Sequence, residues 1–348
     1  MKISKFKWLC LIGCMTLALV ACSEDEQESS ANETTDEQND EVVEEETTGG
    51  ANSEEGADTD TSEETSNSNS TAPEDQGAME GWFEGEIEIA GNTVTATGTT
   101  NLLPGSELTL VTDPLEGTVI GSNSSDGVVE EDGTFHVEKD IPENAEGFIN
   151  LELKFESAYQ EEEISSHYAD NLAGSFSRTS TDINNDVVSK KFSFKEIVSI
   201  NEGDQTIDIM EPSWEAKDDL GNTNVKVDAS VSREGDHLVV ELNSNLVDGT
   251  YVSGKPVIPG YIATGFMAFT HTNPDGSALL YIKNPEKDDR IEDLEEFEIL
   301  IEMDPGRHEN GPHVNEAYGE NGEKLEGELV KELDDKKVIE KKISVTAE

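Results

Sequence analysis

From about residue 84 onward, apolar and polar positions alternate in short runs. EGEIEIAG (84–91) and NTVTATG (92–98) alternate apolar or β-branched residues with polar ones, and INLELKF sets Ile149, Leu151, Leu153 and Phe155 on one face. HLVVEL (Leu238, Val240, Leu242), EILIEM (Ile299, Ile301, Met303) and SFKEIVSI (193–200) read the same way. A two-residue period with one apolar face predicts strands half-buried against a second sheet. Turn chemistry separates the runs: LPGS, DPLEG, EEDG, VDG, NPDG and GENG. No long amphipathic helix is expected, and the stretch IEDLEEFE (291–298) reads as at most a helical turn. Many short strands punctuated by turns predict an all-β chain built from β-sandwiches.

The pattern occurs twice. GNTVTATGTTNLLPGS (91–106) lies over GDHLVVELNSNLVDGT (235–250), so that Gly91, Asn101, Leu102 and Gly105 meet Gly235, Asn245, Leu246 and Gly249. EDGTFHV (131–137) corresponds to PDGSALL (274–280), and GFINLELKF (147–155) roughly to EFEILIEM (296–303). Tyr168, Leu172 and Gly174 correspond to Tyr318, Leu325 and Gly327, and KKFSF (190–194) to KKISV (341–345). The order is shared, and the spacing too apart from a small insertion before Leu325, which predicts a tandem duplication with about seven strands in each copy.

The strand pattern and the Asn-Leu-x-x-Gly turn resemble the immunoglobulin-like or transthyretin-like sandwich modules of surface lipoproteins in Gram-positive bacteria of the Bacillaceae kind. The resemblance covers residues 82–200 and 226–347, and it implies two tandem β-sandwich domains. The cysteine pair and core tryptophan of antibody domains are absent, so it concerns architecture alone. Residues 79–205 are expected to form the first repeat, 206–225 a connector and 226–348 the second repeat. Ile207, Ile209, Met210 and Trp214 are apolar enough to pack at the joint.

The N-terminus is of another kind. MKISKFK carries three lysines and no acid, and Trp8 to Val20 is a mostly apolar run too short to span a bilayer as a helix. It ends in Leu19-Val20-Ala21-Cys22, which resembles the lipobox of bacterial lipoproteins. That resemblance implies cleavage of a signal peptide (1–21) and acylation of Cys22, palmitate being a typical chain. A thiolate is a good nucleophile for forming the thioether. Cys10 and Cys14 would leave with the signal, so Cys22 would remain alone and no intrachain disulfide could form. The competing reading is an ordinary secretory signal cut near Ala21.

Residues 23–78 hold 20 Asp or Glu and no Lys or Arg, with Val42 and Val43 as the only sizeable aliphatics. Too little apolar surface is available to offset chain entropy, so residues 22–78 read as a lipidated cysteine followed by a disordered acidic linker. The remainder holds 58 acidic and 20 basic residues, a charge near −38. Such a surface repels nucleic acid and anionic lipid, and it suits a protein that stays soluble in salt or alkali.

Candidate chemistry is sparse. His308-Glu309-Asn310-Gly311-Pro312-His313 approaches a zinc-protease motif, but the second histidine is one residue too late and Gly311-Pro312 interrupts any shared helix. His271, His136 and His167 read as surface or strand positions without metal spacing. No nucleophile elbow, phosphate loop or dinucleotide fingerprint is present. Glu130 and Asp132, and Asp182 with Asp186, stand in loops as weak calcium candidates against the plainer reading of solvated turns. No other cofactor and no catalytic residue is expected. Together these observations predict a non-catalytic binding, adhesion or structural protein. It would be held at the outer face of the cell membrane by a lipid anchor, with a protein or cell-wall component as partner. The alternatives are a solute-binding lipoprotein of a transporter, a cell-envelope hydrolase using scattered carboxylates, and a folding helper at the membrane.

Overall fold

The computed structural model describes residues 71–116, 122–182, 187–262 and 265–348. The signal segment, Cys22 and nearly all of the acidic linker lie outside the described residues, as does Asp186. No helix among the described residues is long and apolar enough to cross a membrane.

The alternating runs form strands where the pattern places them. The first repeat runs β1 (Phe83–Ala90), β2 (Thr93–Thr100), β3 (Glu107–Pro114), β4 (Ser124–Val128), β5 (Thr134–Asp140), β6 (Phe148–Glu156), α1 (Glu162–Tyr168), β7 (Ser177–Asp182), β8 (Val187–Ser199) and β9 (Gln205–Asp208). Its sheets have the orders β5-β2-β1-β9 and β4-β3-β6-β8-β7, and every pair is antiparallel. The second repeat runs β10 (Val227–Glu234), β11 (His237–Ser244), β12 (Tyr251–Val257), β13 (Ala268–His271), β14 (Ser277–Lys283), β15 (Glu296–Met303), α2 (Pro312–Tyr318), β16 (Val330–Leu333) and β17 (Lys336–Thr346). Its sheets are β10-β11-β14 and β13-β12-β15-β17-β16. Each repeat thus sets its first, second and fifth strands against a sheet of its fourth, third, sixth, eighth and seventh, the strand division of an immunoglobulin-like sandwich. The fold is all-β, as expected, and β9 is an addition made only by the first copy.

The inward faces are those the period marks. Ile87 and Ile89 of β1 stand opposite Ala96 and Val94 of β2. These residues close on Leu108, Leu110, Leu151, Leu153 and Phe155 of the other sheet in one core. The second core repeats this with Leu238, Val240, Leu242, Ile299, Ile301 and Met303. Truncating one such leucine or isoleucine to alanine costs about 2–5 kcal/mol.

The duplication extends to individual hydrogen bonds. Buried Tyr168 accepts the Leu103 N–H at 2.8 Å, and Tyr318 accepts the Val247 N–H at 3.1 Å. Asn101 caps Glu80 and Trp82 as Asn245 caps Asn224 and Lys226. The turn carboxylates Asp132 and Asp275 each take the N–H and hydroxyl two residues on, from Thr134 and Ser277.

Four expectations need correction. Asp75 accepts from Trp82 Nε1 and Asn101 Nδ2, and Gly77 N–H donates to Asn101 O, so the first repeat begins before residue 79. Asp219 and Gly221 make the matching contacts to Asn245, which puts the last turn of the expected connector inside the second repeat. Residues 206–208 belong to β9, and Met210 is 71 % exposed rather than packed. No helical turn forms over 291–298. The short helices are α1 and α2, each seven residues, in the crossover after the sixth strand.

Candidate functional site: the groove between the repeats

Both repeats belong to one compact unit, and the contacts between them are specific. The NLVDGT turn supplies the first. The Asp248 carboxylate accepts the Thr179 N–H at 2.7 Å and the Thr179 hydroxyl at 2.5 Å, with Lys190 Nζ at 3.4 Å. His313 Nε2 lies 2.9 Å from the Asp248 carbonyl. Gly249 holds φ +78° beside Asp248, and a Cβ there would press on Thr179 and His313, so glycine suits this turn twice over. The connector supplies the second. Trp214 Nε1 donates to Ser175 O at 2.6 Å, the Arg178 guanidinium stacks 4.7 Å above the indole, and Arg178 also reaches the Asn273 side chain.

At the other end of the junction the Phe148 ring meets His237 edge-on at 5.1 Å and Tyr281 at 5.2 Å. Glu116 accepts from Lys283 Nζ at 2.7 Å and faces His237 Nε2 at 3.2 Å. Burial pushes the His237 imidazole below its ordinary pKa, although Glu116 pulls the other way.

These contacts bound a groove of about 400 Å³. One wall is the outer face of the first repeat: Asp113 to Leu115, Asn150, Arg178 and Lys195 to Ile197. The other is the edge of the second: Met267 to His271, Asn273, Leu279 and Tyr281. Phe269 is 66 % exposed and Met267 54 %. Towards Phe148 and His237 the groove passes Leu115, Met267 and Tyr281 into an acidic recess bearing Glu116, Glu146, Glu202, Glu234 and Asp236. The two ends therefore differ in charge: Arg178 and Lys195 balance Asp113 and Glu196 in the groove, and the recess bears five carboxylates.

Beside the groove, Glu152 is 8 % exposed on the face of β6 turned away from the core. Its carboxylate accepts from Lys191 Nζ at 2.8 Å and Ser193 Oγ at 2.6 Å, with Lys195 Nζ at 3.7 Å. Burial alone would raise its pKa. Lys195 and Lys191, together with the hydrogen bonds from Lys191 and Ser193, outweigh burial and hold it far below the usual carboxylate range.

The residues singled out from sequence fall elsewhere, with one exception. Glu130 and Asp132 occupy the turn before β5, where Asp132 is engaged by Thr134, and Asp182 ends β7 near the Tyr159 hydroxyl. Among the described residues no three His, Cys, Asp or Glu side chains are grouped to hold a metal ion. Pro312 opens α2, so His313 is helical while His308 lies outside and pairs with Glu309. His167 reaches Gly77 O at 2.7 Å and His136 is exposed on β5. His271 is the exception, for it lines the groove.

The groove's basic residues, Arg178 and Lys195, stand in a stretch (154–195) with more acidic than basic residues, so no local charge pattern marks them in the sequence.

No family model and no curated protein matches the chain. Among solved structures, the D0-D1 domain of Intimin is similar at 9 % identity, over 62 % of this chain and 90 % of that one, with a TM-score of 0.16. A score that low carries no argument, and the fold stated above rests on the strand order alone.

Proposed function

We propose that this chain is a lipid-anchored protein at the outer face of the cell membrane, and that its two fused sandwiches bind a partner, without catalysis, through the groove between them. The observation that carries this reading is the groove itself. Exposed Phe269 and Met267 stand over a charged floor, in a junction that Asp248, Trp214 and Phe148 hold closed on either side. Aromatic and sulfur-bearing side chains left in water beside a cation are the composition of binding surfaces. The lipobox and acidic linker supply the anchor and the reach.

Two measurements test it. Cys22→Ser should release the protein from the membrane fraction into the medium. Labelled full-length protein should bind saturably to envelopes from cells lacking it, and Phe269→Asp should abolish that binding with the melting temperature unchanged. Non-saturable binding, or binding indifferent to Phe269→Asp, would overturn the groove as the site.

A further inference from the structure

We infer that the groove is a strand-addition site, in which an extended peptide segment of a partner protein pairs with the free backbone edges of β13 and β14. The inference rests on the reading of the groove as the binding surface and adds the ligand class and the mode of recognition.

β13 and β14 are each the outermost strand of their sheet. Thr272 N–H donates to Thr250 O at 2.9 Å, so Thr272 faces β12. Antiparallel alternation then turns Thr270 and Ala268 to β12 and leaves the N–H and C=O of Phe269 and His271 on the free side. In β14 the bonds Ser244 N to Gly276 O and Asn284 N to Asp236 O fix the even-numbered residues toward β11. Leu279 and Tyr281 therefore present their backbone groups outward. All four of these residues line the groove.

The two edges carry donors and acceptors at the repeat of an extended chain, and the chemistry that matches them is another extended polypeptide backbone. The usual protections of an edge are charge, proline or a covering segment. β13 reads Ala-Phe-Thr-His and has neither a formal charge nor a proline. Its counterpart in the first repeat packs tightly on the neighbouring sheet. Gly127 of β4 lies so near β5 that a Cβ would come 2.6 Å from Val137 and 2.7 Å from the His136 carbonyl. In the second repeat β13 and β14 also lie close, joined by the turn that Asn273 N–H closes on Ser277 O, and no further described strand pairs with the outward edge of either. Side-chain preference follows from the walls: apolar groups against Phe269, Met267 and Leu279, and a carboxylate toward Arg178 and Lys195.

The test begins with random octapeptides displayed and selected against the full-length protein, followed by amide hydrogen exchange with the enriched peptides. The inference expects proline-poor peptides that slow exchange at Phe269, His271, Leu279 and Tyr281 by at least about tenfold. N-methylation of alternate peptide residues should abolish that protection. Three outcomes would overturn it: no selected peptide protects these amides, N-methylation leaves protection intact, or protection appears without peptide and grows with protein concentration. The last would make a second copy the occupant. If Phe269→Asp abolishes envelope binding while these amides stay unprotected, the groove reading survives and strand addition alone fails.

Discussion

The carboxylate of Asp248, at a turn of the second repeat, takes both the N–H and the hydroxyl of Thr179 in the first. The matching turn of the first repeat has Pro104 in that position, so this contact arose where the two copies diverged. Two hydrogen bonds to a carboxylate contribute about 1.5–3 kcal/mol each. Asp248→Ala should therefore uncouple the repeats. Calorimetry should resolve a broadened or split transition, and limited proteolysis should cut faster near Trp214. A single transition of undiminished sharpness would show that the repeats do not depend on this clamp.

The duplicated tyrosines give a second prediction. Tyr168→Phe and Tyr318→Phe each remove the acceptor of a half-buried residue's backbone N–H, of Leu103 and Val247. Each should cost about 1–2 kcal/mol, and the double variant should lose close to the sum because the sites lie in separate cores. Denaturant midpoints measure it.

Tyr318 also sets an alkaline limit. Burial raises its pKa from 10.0 to about 12, against a small lowering by the Val247 N–H. The folded value lies above the unfolded one, so its contribution is complete below pH 10 and is lost as the pH rises toward 12. Stability of the wild type should fall across that window, and Tyr318→Phe should flatten the fall.

Glu152 acts in the opposite direction. Its folded pKa is depressed below the ordinary 4.5, so its contribution is complete above that value and is lost as the pH falls below it. Glu152→Gln should cost about 2–3 kcal/mol at neutral pH. The gap from wild type should narrow below pH 4.5. A gap constant with pH would mean that the carboxylate's charge is not what Lys191 and Lys195 hold.

The strand pattern was legible because each inner face needed only apolar residues at every second place. Ile149, Leu151, Leu153 and Phe155 are buried as their spacing implies. The same strand also shows where that logic stops. Asn150, Glu152 and Lys154 are polar and read as a wet face, yet Glu152 is buried and Phe148 is capped by His237. A polar residue turned toward another sandwich has the same local signature as one turned toward water. The groove was hidden for the same reason, since its residues come from six strands and the loops beside them and share no spacing. The short helices were missed because seven residues, with Pro312 at the start of one, leave too little period to detect.

Site-specific photo-cross-linking tests the central claim most directly. A photoreactive side chain placed at Phe269 in the full chain, on living cells, should yield one discrete adduct. The same group at Leu333, on the far edge of the same sheet, should yield none. An adduct at both positions, or at neither, would contradict a partner seated in the groove between the repeats.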